Sequence, residues 1–266
     1  MTLDRRSILA VLAASAWPAA HAAQRKSLTD PMRLGVEQAL IDSGLASQFQ
    51  KGFGRDTGVA VQLVPGLSAT LLDTLERGEI DAAMTNAPEL ELKLEKQGLA
   101  HDRRLVAAGD FVLVGPLEGV GKKAKDPVGI AKERDIAFAL ARIADAKARF
   151  IGAPNGSGAH VGSLALWRAA KVSPAAPWFV ESKADPLQQA IAENAYALVE
   201  RGVWVARGRK PLAIMVEGDA RMVNEVHVMR SFRVNHPAAK LFGQWVGGPQ
   251  GRRVAASLRG WRPAPR

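Results

Sequence analysis

The chain of 266 residues contains no cysteine, and this absence excludes several kinds of site. Structural disulfides, cysteine-ligated zinc and thiol catalysis all require that residue, so none of them contributes to this protein. Export from the cytoplasm is not excluded, because a chain of this length can bury enough surface to be stable without disulfides.

Aromatic residues are also scarce, at 6% of the chain, while basic residues outnumber acidic ones. The formal net charge of +10 would suit a nucleic-acid or membrane-surface partner if the basic residues were clustered. Lysine and arginine are instead spread along the chain, so we interpret the charge as a solvated basic surface and expect no nucleic-acid partner. The hydrophobic fraction of 47% predicts a folded core.

No stretch is long and apolar enough for a transmembrane helix, but the N-terminus has the shorter pattern of an export signal. Arg5 and Arg6 form a basic region, an apolar run follows, and a small-x-small cleavage pattern ends at Ala22. We predict a signal peptide over residues 1–23, cleaved near Ala22 or Ala23, and a periplasmic mature protein. The arginine pair also resembles a twin-arginine signal, so either export route stays open.

The rest of the chain alternates between strand-like and helix-like segments, which predicts an α/β fold with a mostly parallel sheet. The predicted strands cover residues 32–36, 59–65, 80–84, 103–108, 110–115, 150–151, 178–181, 195–200, 212–216 and 226–234. The predicted helices cover residues 46–54, 68–77, 89–97, 135–147, 159–171, 186–194, 237–246 and 249–258. Residues 122–126 are interpreted as a charged, flexible bridge, residues 201–202 as a turn, and residues 259–266 as a frayed basic tail.

The most informative stretch is residues 150–167, which combines a strand end, a glycine-rich turn and a helix. Ser157 stands where a helix N-cap belongs, and apolar residues follow at helical spacing. The exposed N–H groups of such a helix start can hold an anion. The alternative is an ordinary strand-to-helix connection that binds nothing.

Enzyme signatures are missing from the sequence. We find no G-x-S-x-G elbow, no H-E-x-x-H and no phosphate loop. Ser157 and His160 have a spacing that a nucleophile and its base could use, but no third orienting residue is evident. The histidines are too scattered to indicate a metal cluster. We therefore expect neither catalysis nor a cofactor nor a metal.

Several segments, taken in order, resemble those of a known family. They are Ile-Asp-Ala-Ala-Met-Thr-Asn-Ala-Pro-Glu at 80–89, Asp-Phe-Val-Leu-Val-Gly-Pro at 110–116, Ser-Gly-Ala-His at 157–160 followed by Leu164, Leu166 and Trp167, Pro-Trp-Phe at 177–179, Ala-Tyr-Ala-Leu at 195–198, Arg-Gly at 201–202, and Val-Glu-Gly-Asp-Ala-Arg at 216–221. Their order and content resemble the tungstate-binding periplasmic proteins of ABC importers, over residues 33 to about 258.

This resemblance implies a two-lobed periplasmic binding protein with the ligand cleft between the lobes. The first lobe would contain residues 31–113 and 215–258, and the second lobe residues 114–214. Residues 110–116 and 214–219 would carry the crossovers between them. Helix N-termini from both lobes would point into the cleft, because an oxyanion takes its hydrogen bonds from backbone N–H groups and hydroxyls. An ABC permease of the inner membrane would be the docking partner.

The departures from the family fall on the residues expected to hold the ligand. Where the family has a Thr-Thr-Thr-Ser run, this chain has Val36, Glu37, Gln38 and Ala39. Where the family has an arginine four residues before its Ser-Gly-Thr-His motif, this chain has Ala153. Buried donors of this kind contribute roughly 1–3 kcal/mol each, so their loss would weaken a dianion site severely.

The remaining candidates for ligand binding are few. They are Glu37, Gln38, Ser68 (which we expect to cap a helix), Ser157, the amides of Gly158 and Ala159, and His160. Glu37 either faces the cleft, where it would repel an anion, or points to solvent. His160 either contributes to the site or packs against its own loop. We expect a small solute, with an oxyanion, a neutral molecule or a cation paired with Glu37 as candidates.

Two functions other than catalysis stay open at this point. The first is an extracytoplasmic solute-binding protein of an ABC importer with an altered ligand. The second is a sensor or escort protein in the periplasm that uses the same scaffold without serving transport.

Overall fold

The computed structural model describes residues 27–119, 125–208 and 210–265. The predicted signal peptide and most of the predicted charged bridge therefore lie outside the described residues. None of the helices in the described part of the chain is long and apolar enough to cross a membrane.

Strands and helices alternate along most of the chain. The strands are β1 Met32–Glu37, β2 Val61–Gly66, β3 Ala82–Thr85, β4 Ala100–Pro116, β5 Phe150–Gly152, β6 Phe179–Glu181, β7 Tyr196–Glu200, β8 Leu212–Val216, β9 Val223–Ser231 and β10 Arg262–Pro263. The helices are α1 Gln38–Asp42, α2 Leu45–Thr57, α3 Ser68–Glu76, α4 Pro88–Lys96, α5 Ile136–Asp145, α6 Gly158–Ala169, α7 Pro186–Glu193, α8 Arg201–Arg207, α9 Pro237–Gly247 and α10 Pro249–Ser257.

The buried apolar residues form two sets of cores, which define two lobes. The first lobe is built from β1–β3, α1–α4, the first part of β4, and β9, α9, α10 and β10; its cores include Phe49, Phe53 and Phe242. The second lobe is built from the second part of β4, β5–β8 and α5–α8; its cores include Phe150 and Tyr196. The exact boundaries of 113/114 and 214/215 stay a prediction.

The sheet is mixed, with the strand order β2-β1-β3-β9-β4-β7-β5-β6 and with β8 and β10 also paired to β4. The outer strands pair in parallel, as β1 does with β2 and β3, and β5 with β6 and β7. Within the described residues, every antiparallel ladder involves β4 or β9. The expected predominance of parallel pairing thus holds only for the outer strands, because the long strand β4 pairs antiparallel with β7, β8, β9 and β10.

The two strands expected at 103–108 and 110–115 are one continuous strand, β4, which runs through both lobes. It passes through Gly109, where a Cβ would lie 3.1 Å from both the carbonyl oxygen of Gly260 and the ring of Trp261. The glycine that looked like a strand boundary is therefore a point of close packing.

Two other expectations are corrected, and one helix was missed. Residues 201–202 begin helix α8 rather than form a turn, and α1 was not predicted. The tail expected to fray is partly ordered, since Trp261 is 5% exposed and Arg262–Pro263 pairs with β4. The hydrophobic body of that tryptophan joins the first lobe's core, which outweighs the charge around it.

Residues 150–167, the most informative stretch of the sequence, are arranged as predicted. Strand β5 ends at Gly152, the turn follows, and the Ser157 hydroxyl accepts a hydrogen bond from the amide of His160 at 3.1 Å. Ser157 is therefore the N-cap of α6, with the extended backbone that a cap requires.

Candidate functional site

The site lies where the carboxyl end of β1 meets the starts of two helices, α3 of the first lobe and α6 of the second. Glu37 is the last residue of β1 and holds the N-cap position of α1, with φ −52° and ψ 132°. Its side chain is 2% exposed, so it faces the cleft and not solvent. The choice left open by the sequence is thus decided by the packing of the two lobes.

The Glu37 carboxylate is held by three hydrogen bonds from outside its own helix. Its Oε2 atom accepts from the amide of Ser68 at 2.6 Å, from the Ser68 hydroxyl at 2.6 Å and from the amide of Gly158 at 3.3 Å. Ser68 and Gly158 are the first residues of α3 and α6. One carboxylate therefore satisfies one free N–H group at each of two helix starts, where the helix dipoles favour negative charge.

Burial raises the pKa of Glu37 above its ordinary value of 4.5. Hydrogen bonds from Ser68, Gly158 and the amide of Gln38 oppose that effect, because they favour the ionised carboxylate.

Direct contacts join the two lobes beside this carboxylate. The amide of Ala69 in α3 donates to the carbonyl of Gly156 at 2.9 Å. Gly158 lies so close to Asn86 that a Cβ on the glycine would be 1.7 Å from the Asn86 Oδ1 atom. The first turn of α6 therefore packs directly on the first lobe, and only glycine fits there.

A second buried carboxylate lies nearby, at the end of β7. The side-chain amide of Asn86 donates to the carboxylate of Glu200 at 3.3 Å and to the side-chain oxygen of Asn224 at 3.0 Å. Burial, followed by repulsion from Glu37, raises the pKa of Glu200 to about 7. Among the described residues, the Oδ1 atom of Asn86 and the Nδ2 atom of Asn224 are buried without a hydrogen-bond partner. Unpaired polar atoms of this kind are uncommon inside proteins.

Charged side chains also bridge the mouth of the cleft. Arg207 of α8 pairs with Asp42 of α1 at 2.8 Å and with Asp185, the N-cap of α7. The first of these pairs joins the two lobes. The exposed fraction of each of these side chains is about a quarter to a third, so we assign the pairs a modest energy and a mainly positional role.

A small cavity of about 50 Å³ opens between the lobes next to Glu37. This volume accommodates a few water-sized groups. The cavity wall combines apolar side chains with carboxylates, among them Glu37, Asp42, Ala159, Asp185, Glu200 and Val203.

The structure brings most of the predicted site residues together, but in different roles. Ser68 is not a helix cap, since Leu67 holds the N-cap position and the Ser68 hydroxyl donates to Glu37 instead. Gln38 is exposed at the cavity rim and donates to Asp42 at 2.9 Å. Ala159 lines the cavity. The Nδ1 atom of His160 accepts from the amide of Gly156 at 3.3 Å, so this ring packs on its own loop.

Sequence reasoning missed Asn86, Glu200, Asn224 and the ion pairs of Arg207. Asn86 lies just after the strand predicted at 80–84, and Glu200 ends the strand predicted at 195–200. Polar residues at the carboxyl ends of strands are a usable signal for a cleft. Among the described residues, no group of three or more His, Asp or Glu side chains is arranged to hold a metal ion.

One family model matches most of the chain, and several known proteins are similar to it. A family model described as PBP superfamily domain matches residues 38–247. The chain is 29% identical over 224 residues to the tungstate-binding protein TupA of Peptoclostridium acidaminophilum, covering 80% of this chain and 76% of the relative. It is 27% identical over 243 residues to a putative ABC transporter anion-binding protein of Haloferax volcanii, covering 86% of this chain and 69% of that relative. The crystal structure of the tungstate ABC transporter from Geobacter sulfurreducens aligns with a TM-score of 0.75 at 29% identity, covering 86% of this chain and 98% of that one.

Proposed function

Because the chain belongs to the PBP superfamily, we propose that it is an extracytoplasmic solute-binding protein that delivers a small solute to an ABC permease. One observation carries this proposal: the starts of α3 and α6, from different lobes, face each other across a cleft at the carboxyl ends of β1 and β5. Ligands of open α/β sheets bind at that edge. Hinged closure of two lobes around a solute is the motion that this architecture permits.

The relatives support the transport role and its location. One is a tungstate-binding protein, and another is described as an ABC transporter anion-binding protein. We propose by analogy a periplasmic protein, exported by the signal over residues 1–23, with a permease as its partner. We expect no catalysis, because proteins of this kind bind a solute and release it unchanged.

The ligand is proposed to differ from that of the tungstate-binding relatives. The cavity wall carries the carboxylates of Asp42, Asp185 and Glu200 besides that of Glu37. Arg207 balances Asp42 and Asp185, but the buried carboxylates of Glu37 and Glu200 would repel a dianion, so a small neutral or cationic solute suits this wall better. The binding residues we propose are Glu37, Gln38, Ser68, Ser157, Gly158 and Ala159, with His160 supporting the loop.

A thermal-shift panel on the purified protein tests the receptor role. It would contain tungstate, molybdate, sulfate, phosphate and small neutral and cationic organic solutes. A ligand at 100 times its Kd stabilises the folded protein by about 2.7 kcal/mol, which gives a readily measured shift. Stabilisation of the wild-type protein by any one of these solutes supports a receptor. No response across the panel contradicts it.

A periplasmic sensor or escort protein is the second candidate. The direct contact between Ala69 and Gly156 and the cavity of only about 50 Å³ favour it, because both leave little room for cargo. This candidate predicts no response to any solute in the panel.

A further inference from the structure

We propose that Glu37 is an internal anion that occupies the position between the two helix starts where an oxyanion would bind, and thereby excludes oxyanions from the cleft. The inference deepens the proposed function and rests on it in one respect, that solutes bind between the lobes. Glu37 is thus the side chain that excludes one class of solute, the oxyanions.

The geometry of the carboxylate supports this assignment. The amide and hydroxyl of Ser68, both at 2.6 Å, and the amide of Gly158, at 3.3 Å, converge on the single Oε2 atom. These groups come from the starts of a nine-residue and a twelve-residue helix in different lobes. An oxygen of a bound oxyanion would accept hydrogen bonds from the same kinds of donor.

The Glu37 carboxylate fills this position without a cationic partner among the described residues. All of its hydrogen bonds there come from backbone amides and one hydroxyl. It is 98% buried, and ionised carboxylates at that depth are rare unless their charge is compensated. The two helix dipoles supply that compensation, as they would for a bound anion.

A free oxyanion would compete poorly with this side chain for two reasons. Glu37 is tethered to the site, so its effective concentration there is far above that of a dilute solute. An oxyanion that displaced it would also leave the carboxylate buried beside Glu200, without the donors that now hold it.

The same contact links the lobes. Ser68 belongs to the first lobe and Gly158 to the second, so the carboxylate makes the bridging contact that a bound anion would otherwise make. The neighbouring hydrogen bond from Ala69 to Gly156 runs between the same two segments.

Two substitutions at Glu37 distinguish the effect of filling the position between the helix starts from the effect of the negative charge. Glu37→Ser removes the carboxylate but keeps a residue suited to the N-cap of α1, and it adds a hydroxyl donor. Glu37→Gln keeps nearly the same volume without the charge. Glu79→Ser, at an exposed carboxylate paired with Arg77, is the matched control. Each protein would be titrated calorimetrically with sodium tungstate and sodium molybdate at pH 7.5, and its melting temperature measured with and without 50 mM formate.

We expect Glu37→Ser to bind tungstate or molybdate at least tenfold more tightly than the wild-type protein, and to be stabilised by formate, a carboxylate that refills the vacated position. The wild-type, Glu37→Gln and Glu79→Ser proteins are expected to show neither effect. The comparison of Glu37 with Glu37→Ser would be repeated in a Glu200→Gln background, which removes the second buried carboxylate. There the increase in tungstate or molybdate affinity is expected to be larger.

Two results would overturn the proposal. One is tungstate binding by the wild-type protein within twofold of Glu37→Ser. The other is a folded Glu37→Ser protein that responds to none of the three anions. If that variant does not fold, the backbone amide NMR resonances of Ser68 and Gly158 in the wild-type protein provide the test. They are expected not to shift when 10 mM tungstate is added. A saturable shift contradicts the proposal. A failure of the receptor role is a separate outcome, since it appears as an absence of any solute response in the wild-type panel.

Discussion

The amide of Gly158 lies 3.3 Å from the carboxylate of Glu37, although 121 positions separate the two residues in the chain. One belongs to the second lobe and the other to the first. This contact ties the end of strand β1 to the start of helix α6 and brings the glycine against the buried side chain of Asn86. The space around Gly158 is therefore as important to the cleft as the charge of Glu37.

Gly158→Ala is expected to destabilise the protein by about 1–3 kcal/mol, the usual cost of overpacking a well-filled interior. The added Cβ would lie 1.7 Å from the Asn86 Oδ1 atom. Asn86 is 3% exposed and holds both Glu200 and Asn224, so it cannot move away without breaking those hydrogen bonds. Urea denaturation followed by circular dichroism measures the loss.

Gly243→Ala is the control for this substitution. Gly243 also lies in a helix, α9, and a Cβ there would meet no atom within 4 Å. Alanine in an unobstructed helix position stabilises by roughly 0.5–1 kcal/mol relative to glycine. Equal effects of the two substitutions would show that Gly158 is not under steric constraint.

Glu200→Gln is expected to flatten the pH dependence of stability. Burial raises the pKa of Glu200 from 4.5 to about 7, so the folded protein binds more protons than the unfolded chain between these values. The free energy of unfolding of the wild-type protein should therefore fall as the pH rises from about 4.5 to about 7. The shift corresponds to roughly 3 kcal/mol, present below pH 4.5 and lost above pH 7.

Urea denaturation at pH 5, 6, 7 and 8 tests this expectation. Glutamine keeps an acceptor for Asn86 but has no carboxyl proton to lose. The free energy of unfolding of Glu200→Gln should therefore rise relative to that of the wild-type protein as the pH rises. Part of the wild-type slope should persist, because Glu37 also has a raised pKa and remains in the variant. Parallel pH profiles for the two proteins would show that Glu200 does not titrate in this range.

The sequence predicted the α/β fold and the alternation of elements well, because hydrophobic periodicity and capping are local. Ser157 illustrates this, since its cap bond reaches only to residue 160. The missed helices have weak local signals: α1 is five residues long with no side-chain cap, and α8 begins at an Arg-Gly pair that is typical of turns. Strand β4 was divided at Gly109 because the close approach of Trp261 is invisible in the sequence.

The site was predicted only in part, because its decisive contacts are long-range. The family resemblance pointed to Glu37 and Ser68, but not to the hydrogen bond between them, which spans 31 positions. Whether Glu37 faced the cleft or solvent depended on how β1 meets α3 and α6. Glu200 and Asn86 are separated by 114 positions, and no local pattern relates them.

Arg201→Lys is expected to cost about 1–2 kcal/mol, because a lysine ammonium cannot reproduce the forked contacts of a guanidinium. Arg201 donates to Asp110 of β4 at 2.8 and 2.7 Å and pairs with Glu217, just after β8, at 2.7 Å. These carboxylates raise the pKa of the guanidinium further above its ordinary range. The arginine thus holds together the two segments that connect the lobes.

Arg55→Lys is the matched control for Arg201→Lys in a urea titration. Arg55 is 74% exposed and pairs with Asp56 at the surface, so its replacement should change the free energy of unfolding by less than about 0.5 kcal/mol. If the two substitutions have the same effect, the crossover segments do not depend on Arg201.

Ser68→Ala is expected to destabilise the protein more than Ser157→Ala, although both serines stand at helix starts. The Ser157 hydroxyl accepts one bond from the amide of His160, and loss of such a cap costs about 1 kcal/mol. The Ser68 hydroxyl donates at 2.6 Å to a buried carboxylate, so its loss leaves Glu37 short of a charge-assisted bond and should cost about 1.5–3 kcal/mol. Because the lost donor favours the ionised form of Glu37, whose pKa burial raises, the cost should be larger at pH 7 than at pH 5. Denaturation of both variants at these two pH values measures the difference, and an equal, pH-independent loss would show that Ser68 acts on its helix and not on Glu37.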